Sequence, residues 1–297
     1  MDKILETAVI SDAAEIHELR KKAFGKVGDE IGRYDLPLLM QTLEDVGSEF
    51  SQSKVFKYVV KGKIIGSITG TPDNNFSCTV GKLAVDPEVQ HSGIGTGLMN
   101  AVEKEFPECV RFKLFTSRKT PYTIKMYKKL GYFIDGEDEM NGMPIVLMSK
   151  NTAKYIFKSG PEHHEALIGI WEESVRASHY FITEEDIHLY RGHVGEALRS
   201  MDIYNITDEY GRMIGFTGID KNKIEMLFIT PEASGNGYGS RLMKYVIAFH
   251  NISQVDVNEQ NHKAALFYKK YGFTVTGRSE KDPSGNPYPI LHMERKK

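Results

Sequence analysis

The sequence has few cysteines and no long apolar run. Its 297 residues include two cysteines, Cys78 and Cys109, which are far apart and outside any CxxC pattern. Such cysteines suit a reducing compartment and predict neither a disulfide framework nor a zinc site. No stretch reaches the roughly 18 apolar residues of a membrane span, and the opening residues MDKILETAVI lack an apolar core. We therefore expect a cytoplasmic protein without a signal peptide, a membrane partner or a bound metal.

An excess of charge of one sign is also missing. The formal net charge is −2, which gives no electrostatic reason to expect nucleic acid as a partner. Hydrophobic residues make up 40% and charged residues 26% of the chain, an ordinary globular composition. The length suits two domains rather than one.

An internal repeat supports that division. Residues 81–99, GKLAVDPEVQHSGIGTGLM, align without a gap on 225–243, EMLFITPEASGNGYGSRLM, with seven identities. Residues 116–132 align on 257–273 with four identities, including an unbroken Tyr-Lys-Lys. Two matches in the same order indicate a duplicated domain. The boundary is predicted near 149–154, which gives domains 1–150 and 151–297.

Each half is predicted to be a mixed α/β unit. Alternating residues around Gly62-Lys63 predict a hairpin, and residues 202–219 predict another. The apolar spacing predicts a similar series of helices in the two halves. The predicted helices cover 12–23, 95–105 and 121–130 in the first half, and 161–177, 239–250 and 261–270 in the second.

Glycines stand directly before one helix of each half. A helix N-terminus has unpaired N–H groups and a positive dipole end, and glycines let an anion approach closely. Neither stretch has the GxxxxGK[ST] pattern of a phosphate loop, and Leu98 and Ser240 replace the third glycine of a dinucleotide fingerprint. A third pattern, [Q/R]xxGxG, fits Gln90 to Gly95, and it fits Ser234 to Gly239 except at its first position.

That pattern, after strands ending LAVDP and LFITP, resembles the GNAT family of N-acetyltransferases over both halves. The resemblance implies two tandem domains of the α+β type, each a mixed, mostly antiparallel sheet flanked by helices. It also implies acetyl-CoA as co-substrate, with its pyrophosphate on the glycine turn and its pantetheine arm beside a splayed strand. The implied CoA contacts are Leu83, Val85, Gln90, Gly93, Gly95 and Thr96 in the first half, and Leu227, Ile229, Ser234, Gly237, Gly239 and Ser240 in the second.

A tyrosine follows in each half, seven residues after a polar residue at a helix start. Tyr127 follows Thr120 and Tyr268 follows Asn261, so each pair lies on one helix face. The resemblance implies that Asn258 and Asn261 contact the pantetheine arm and that the tyrosines are general acids toward the CoA sulfur. The alternative is that both tyrosines only pack in the core. The second half is also similar to the YjaB-type bacterial acetyltransferases.

The general base has weaker support. Glu225 lies near the start of a central strand, where some relatives keep a base, and its aligned partner in the first half is Gly81. His179 and His188, in the segment SHYFITEEDIHLYRGH, are less favoured alternatives.

The acceptor is expected to be an amine of a small molecule or a peptide. Its walls should come from the segment after the first helix and the segment between the last two strands. These supply acidic residues in the first half and aromatic residues in the second. They are Asp29, Glu30, Asp135, Glu137, Asp138 and Glu139, and Trp171, His179, Tyr180 and Phe181.

Two other functions fit the same residues. One is a CoA-binding regulatory or scaffold protein in which one or both sites are silent. The other is a structural duplication that binds no CoA. Stabilisation by acetyl-CoA separates the last from the others, because a ligand that binds only the folded state raises its stability. The sequence leaves the oligomeric state open.

The short boundary at 149–154 has no proline or glycine run, so it is not a long flexible linker. The two halves are therefore predicted to pack against each other as an internal pseudo-dimer. Limited proteolysis should cut this segment slowly. Rapid, clean cleavage that releases two independently tumbling halves would contradict the prediction.

Overall fold

The computed structural model describes residues 3–296, and the chain divides after Thr152 into two compact units, which we name unit 1 and unit 2. Each unit has a seven-stranded sheet flanked by helices, which confirms the predicted α+β fold class. No helix within residues 3–296 is both long and apolar enough to cross a membrane.

In unit 1 the sheet order is β1-β2-β3-β4-β5-β7-β6. All neighbouring strands are antiparallel except β4 and β5, which are parallel. The strands are β1 (Lys3–Thr7), β2 (Lys54–Val60), β3 (Lys63–Pro72), β4 (Ser77–Val85), β5 (Arg111–Ser117), β6 (Phe133–Met140) and β7 (Met143–Asn151). The helices are α1 (Ala13–Ile31), α2 (Pro37–Met40), α3 (Leu43–Glu49), α4 (Ile94–Glu105) and α5 (Pro121–Lys129).

Unit 2 repeats this order as β8-β9-β10-β11-β12-β14-β13, and β11 and β12 are its parallel pair. Its strands are β8 (Ile156–Lys158), β9 (Asp202–Thr207), β10 (Met213–Asp220), β11 (Lys223–Ile229), β12 (Gln254–Asn258), β13 (Phe273–Ser279) and β14 (Ile290–Arg295). Its helices are α6 (His164–Ser178), α7 (Glu184–Ser200), α8 (Tyr238–His250) and α9 (His262–Lys270).

The sheet of unit 1 is covered on both faces. Successive residues of a strand point to opposite faces. Accordingly, Ile64 of β3 packs in a buried cluster with α1, whereas Ile65 packs in a second cluster with α4 and α5. The glycine-preceded helix α4 therefore lies on the face opposite α1.

The first helix is longer than predicted. The sequence predicts a helix over 12–23, but α1 continues through Gly25 and Gly28 and ends before Gly32, which has a left-handed φ of 71°. Its added turns are retained because Phe24, Val27 and Ile31 pack against a buried cluster of α2 and the β6–β7 hairpin. Tertiary packing thus outweighs the low helix propensity of glycine.

Three helices were not predicted. They are α2, α3 and α7. Two of them begin at a capping box: Thr42 caps α3 and Thr183 caps α7, and each exchanges hydrogen bonds with an aspartate three residues later. The T-x-x-D spacing is the sequence signal that identifies these helix starts.

Unit 1 contains a buried ion cluster that no local sequence pattern predicts. Arg20 of α1 is completely buried and its Nη1 lies 2.9 Å from Oε2 of Glu49 in α3. Lys82 of β4 pairs with the same carboxylate. Gln41 donates a hydrogen bond to Glu49 at 2.7 Å. One buried carboxylate therefore balances a buried guanidinium and the half-buried ammonium of Lys82.

We predict that Glu49→Gln destabilises unit 1 by about 3–5 kcal/mol, because it leaves two cations without their counter-charge. Urea unfolding, with hydrogen exchange in α3 to assign the loss to unit 1, measures the effect. Glu44→Gln, on the exposed side of the same helix, is the matched control. Equal losses in the two variants would show that Glu49 adds no more than a surface charge.

Candidate functional site

In each unit the two parallel strands separate soon after they pair. The ladder between β4 and β5 ends at Thr79, although β4 continues to Val85. The ladder between β11 and β12 ends at Ile224, although β11 continues to Ile229. Each unit therefore has a wedge-shaped opening in its sheet, lined on one side by a strand edge that the ladder leaves unpaired.

A β-bulge lies where the strands separate. In unit 1 the register against β3 shifts between Ala84 and Gly81, and the intervening Lys82 has a left-handed φ of 56°. In unit 2 the register shifts between Met226 and Ile224, which makes Glu225 the bulged residue. A bulge bends its strand, so it accounts for the divergence of β4 and β11 from their parallel partners.

The glycine turns begin helices at these openings. Gly93 caps α4 with a φ of 84°, and Gly237 caps α8 with a φ of 83°. Only glycine adopts this left-handed conformation without strain. The unpaired N–H groups of the first helical turn, together with the dipole, form an anion-binding end in each unit.

The second glycine of each turn faces the opening. A Cβ added to Gly95 would lie 3.8 Å from Leu83 and 3.9 Å from Val85 and from Met126 of α5. A Cβ added to Gly239 would lie 3.6 Å from Ile229, 3.7 Å from Phe267 and 3.9 Å from Leu227. The structure therefore brings three of the predicted CoA contacts together in each unit.

The predicted contacts on either side of these glycines lie on the same turns. Gln90 is half-buried and donates a 3.4 Å hydrogen bond to the carbonyl of Val85, whereas Ser234 is exposed. Thr96 and Ser240 each occupy the third position of their helix. A side-chain hydroxyl is therefore placed beside the free N–H groups in both units.

The two predicted tyrosines are buried, Tyr127 in α5 and Tyr268 in α9. Tyr127 is 9% exposed and Tyr268 is 6% exposed. Within residues 3–296 neither hydroxyl has a hydrogen-bond partner. Burial raises the pKa of Tyr127 to about 12 and also raises the pKa of Tyr268. Both phenols are therefore neutral at pH 7 and retain a proton to donate.

The residue at the start of the tyrosine helix distinguishes the units. Asn261 caps α9 through its Oδ1, which accepts a 3.1 Å hydrogen bond from the Ala264 N–H. Asn258 accepts a 2.9 Å hydrogen bond from the Gln260 N–H. In unit 1 Thr120 is buried and donates its hydroxyl to the carbonyl of Ser117. Asn261 thus directs its side-chain NH₂ away from the cap, to 3.4 Å from Nε2 of His179, whereas the Thr120 hydroxyl bonds within its own turn.

Glu225 belongs to a row of polar side chains across unit 2. Its Oε1 lies 3.0 Å from Nζ of Lys223, and this nitrogen is 2.9 Å from Oδ2 of Asp256. His292 Nδ1 donates to Asp256 at 2.7 Å. Burial raises the pKa of Asp256, but hydrogen bonds from His292 and Lys223 outweigh it and hold this pKa below its usual value. The predicted base is therefore paired with a lysine.

The predicted acceptor walls of unit 2 meet each other. Tyr190 of α7 donates to Asp282 at 2.5 Å, and Tyr288 donates to Asp186 at 2.5 Å, so α7 is fixed to the loop between β13 and β14. Phe181 packs against Tyr288 with ring centroids 5.8 Å apart. The walls named in the sequence analysis are thus neighbours.

Two members of the predicted aromatic wall lie elsewhere, one in the core and one at the surface. Trp171 is 5% exposed and packs in the core formed by α6 and α7, so it is not a wall residue. Tyr180 is 84% exposed. Of the other two, Phe181 lies on the wall, and His179 contacts Asn261 at 3.4 Å.

The acidic residues of unit 1 are mostly engaged. Tyr34 donates to Asp29, and Tyr122 donates to Glu30, both at 2.7 Å. Asp135 pairs with Arg111, and Glu137 lies 2.7 Å from Arg118. These contacts leave less free negative charge for an acceptor than the residue count suggests.

Comparison with known proteins gives two family matches in this chain. Residues 40–152 and 178–295 each match the domain family described as an acetyltransferase (GNAT) domain. The peptidyl-lysine N-acetyltransferase YjaB of Escherichia coli is 37% identical over 142 residues, which cover 46% of this chain and 94% of that protein. The peptidyl-lysine N-acetyltransferase YiaC of the same species is 27% identical over 42% of this chain and 87% of its own length.

Two similar solved structures also each cover about half of this chain. The solution structure of apo YjaB from Escherichia coli is 36% identical, covers 47% of this chain and 95% of its own, and has a TM-score of 0.44. The PaiA N-acetyltransferase of Thermoplasma acidophilum, in complex with coenzyme A, is 18% identical and also has a TM-score of 0.44. It covers 51% of this chain and 99% of its own.

We predict that Gly239→Trp weakens acetyl-CoA binding in unit 2 by at least about tenfold, because the indole fills the space beside Leu227 and Ile229. Gly239→Ala is the control, since its Cβ would make only ordinary contacts and the backbone there is helical. Titration calorimetry measures affinity and stoichiometry. Unchanged binding by the tryptophan variant would place the ligand elsewhere.

Proposed function

Because the chain belongs to the GNAT family of acetyltransferases, we propose that it transfers an acetyl group from acetyl-CoA to a primary amine, with the working site in unit 2. The observation that carries the proposal is the arrangement around the opening beyond Ile224, where Gly239, Asn261 and Tyr268 supply an anion-binding turn, a side-chain amide and a protonated phenol. The units act as two domains, 1–150 and 151–297, each with a site for CoA.

Acetyl-CoA fits the chemistry of the opening. The N-terminus of α8, with Ser240, suits a pyrophosphate. The unpaired edge of β11 suits the amides of a pantetheine arm, and Leu227 and Ile229 supply apolar walls. The acetyltransferase of Thermoplasma acidophilum, which shares the domain fold, was solved with coenzyme A. The thioester of acetyl-CoA supplies the activated acetyl group.

In acetyl transfer, separate groups of unit 2 stabilise the oxyanion, protonate the sulfur and hold the two substrates. Backbone N–H groups on the free edge of β11 stabilise the negative charge that develops on the carbonyl oxygen. Tyr268, whose phenol is protonated at pH 7, donates its proton to the sulfur as the C–S bond breaks. Asn261 holds the pantetheine arm, and the α7 wall orients the incoming amine.

The acceptor is a lysine side chain of a peptide or protein. Two relatives are named peptidyl-lysine N-acetyltransferases. An ammonium group also suits the polar row of unit 2, in which Glu225 and Asp256 share one lysine. An aromatic wall of Phe181 and Tyr288 packs well against an alkyl chain.

Unit 1 binds CoA but is catalytically silent. It keeps the glycine turn and Tyr127, which support binding. It has no counterpart of Asn258 or Asn261, and its Thr120 is turned inward. In this proposal unit 2 catalyses the transfer, and unit 1 has the CoA-binding regulatory role given above as an alternative function.

We predict that Tyr268→Phe lowers kcat by about 10²–10⁴-fold without changing the affinity for CoA, because it removes one hydroxyl and keeps the ring. Thiol release from acetyl-CoA with a lysine-containing peptide measures the rate, and calorimetry measures the affinity.

Tyr127→Phe is the matched variant in unit 1 and should keep the wild-type rate. If only Tyr127→Phe lowered the rate of thiol release, the working site would be in unit 1 and not in unit 2. Wild-type rates in both single variants and in the double variant would show that the tyrosines only pack in the core.

A further inference from the structure

His179 lies at the end of α6, beside the start of α9. It is the residue that follows the last helical position, Ser178, and its N–H bonds to the carbonyl of Val175. Its ring packs against Phe181 with centroids 5.4 Å apart. Its Nε2 lies 3.4 Å from Nδ2 of Asn261. The imidazole therefore joins the acceptor wall to the residue proposed to hold the pantetheine arm.

The hydrogen bonds around this ring determine which nitrogen carries the proton. The Oδ1 of Asn261 accepts from the Ala264 N–H, so the side-chain NH₂ of Asn261 is the group that faces Nε2. An NH₂ group only donates, which makes Nε2 an acceptor. The Ser178 hydroxyl donates to the carbonyl of Ser174 at 2.6 Å and lies 2.8 Å from Nδ1. Nδ1 therefore donates its proton to the Ser178 oxygen.

The environment keeps the ring uncharged. Burial lowers the pKa of His179 to about 4. The side chains that hydrogen-bond or pack with it, those of Ser178, Phe181 and Asn261, are all uncharged. At pH 7 the imidazole is therefore neutral, and the lone pair of its Nε2 faces the NH₂ group of Asn261 at the start of α9. Glu225, by contrast, is paired with Lys223 at 3.0 Å.

Unit 1 lacks an equivalent group. A short 3-10 turn precedes the first helix of each unit, at Ile10–Asp12 and at Pro161–His163. Counting from these turns, His179 corresponds to Gly28, which lies inside α1. Asn261 corresponds to Thr120 in the repeat. Both partners of the His179–Asn261 contact are thus specific to unit 2.

We propose that Nε2 of His179 is the base that takes the proton from the acceptor amine in unit 2, a role that rests on the function proposed above. Nε2 becomes available when Asn261 turns its NH₂ group from His179 to the pantetheine arm. As the amine nitrogen forms its bond to the acetyl carbon it becomes acidic, and its proton passes to Nε2. The C–S bond breaks and the sulfur takes the proton of Tyr268. Transfer of the His179 proton through water to the tyrosinate restores both side chains, so the net products are the amide and the thiol.

The test compares His179→Gln with Glu225→Gln and His193→Gln in the full chain, using acetyl-CoA and a lysine-containing peptide. His179→Gln should lower kcat by about 10²–10⁴-fold and leave CoA affinity unchanged. Imidazole in the buffer should restore part of the rate to His179→Ala. His193, exposed on α7, is the control and should keep the wild-type rate. A larger loss in Glu225→Gln than in His179→Gln would overturn the proposal.

Loss of CoA affinity without rescue by imidazole would also overturn it, because His179 would then only position Asn261. Histidine-labelled NMR gives a readout independent of turnover. The His179 ring should be neutral and protonated on Nδ1 from about pH 5.5 to 8, below the ordinary histidine pKa near 6.5 as well as above it. A titration midpoint near that value, or a proton on Nε2, would exclude this role.

An inactive wild-type chain would overturn the proposed function itself, and the NMR result would still decide the protonation of the ring. An active wild type with an unaffected His179→Gln variant would overturn only the role of His179.

Discussion

The early end of one parallel ladder in each sheet is the constraint on which the sites depend. A strand paired on both sides has its backbone N–H and C=O groups already bonded, whereas β4 beyond Thr79 and β11 beyond Ile224 have one edge that no neighbouring strand pairs. The bulges set the angle of divergence, and the glycine turn places a helix N-terminus at the mouth of the opening. Binding of an extended polar ligand completes the hydrogen bonding of that edge, in the manner of an added strand.

The two units show how one scaffold tolerates different chemistry. Three backbone features recur in both units: the parallel pair, the bulge and the left-handed glycine cap. The buried tyrosine recurs as well. Side chains around them differ, since Asn261 is matched by Thr120 and His179 by Gly28. The backbone features that shape the opening are thus shared by the two units, while the side chains beside it differ.

Features carried by local sequence were predicted well. Helices α4 and α8 begin within one residue of the predicted starts, because a left-handed glycine defines each start. Contacts between residues far apart in the chain could not be predicted from the sequence. The His179–Asn261 contact joins residues 82 positions apart, and the buried pair of Arg20 and Glu49 leaves no periodic pattern. Local patterns also hid α7, whose capping box lies in a segment assigned to the acceptor wall.

The bulges also carry opposite balances of charge. In unit 1 the bulge residue Lys82 joins Arg20 around one carboxylate, so this bonded cluster has an excess of one positive charge. In unit 2 the bulge residue Glu225 shares Lys223 with Asp256, so that cluster has an excess of one negative charge. Within a Debye length of about 8 Å, an ammonium group is repelled by the first cluster and attracted by the second. The two bulges thus carry local charge of opposite sign on the same backbone feature.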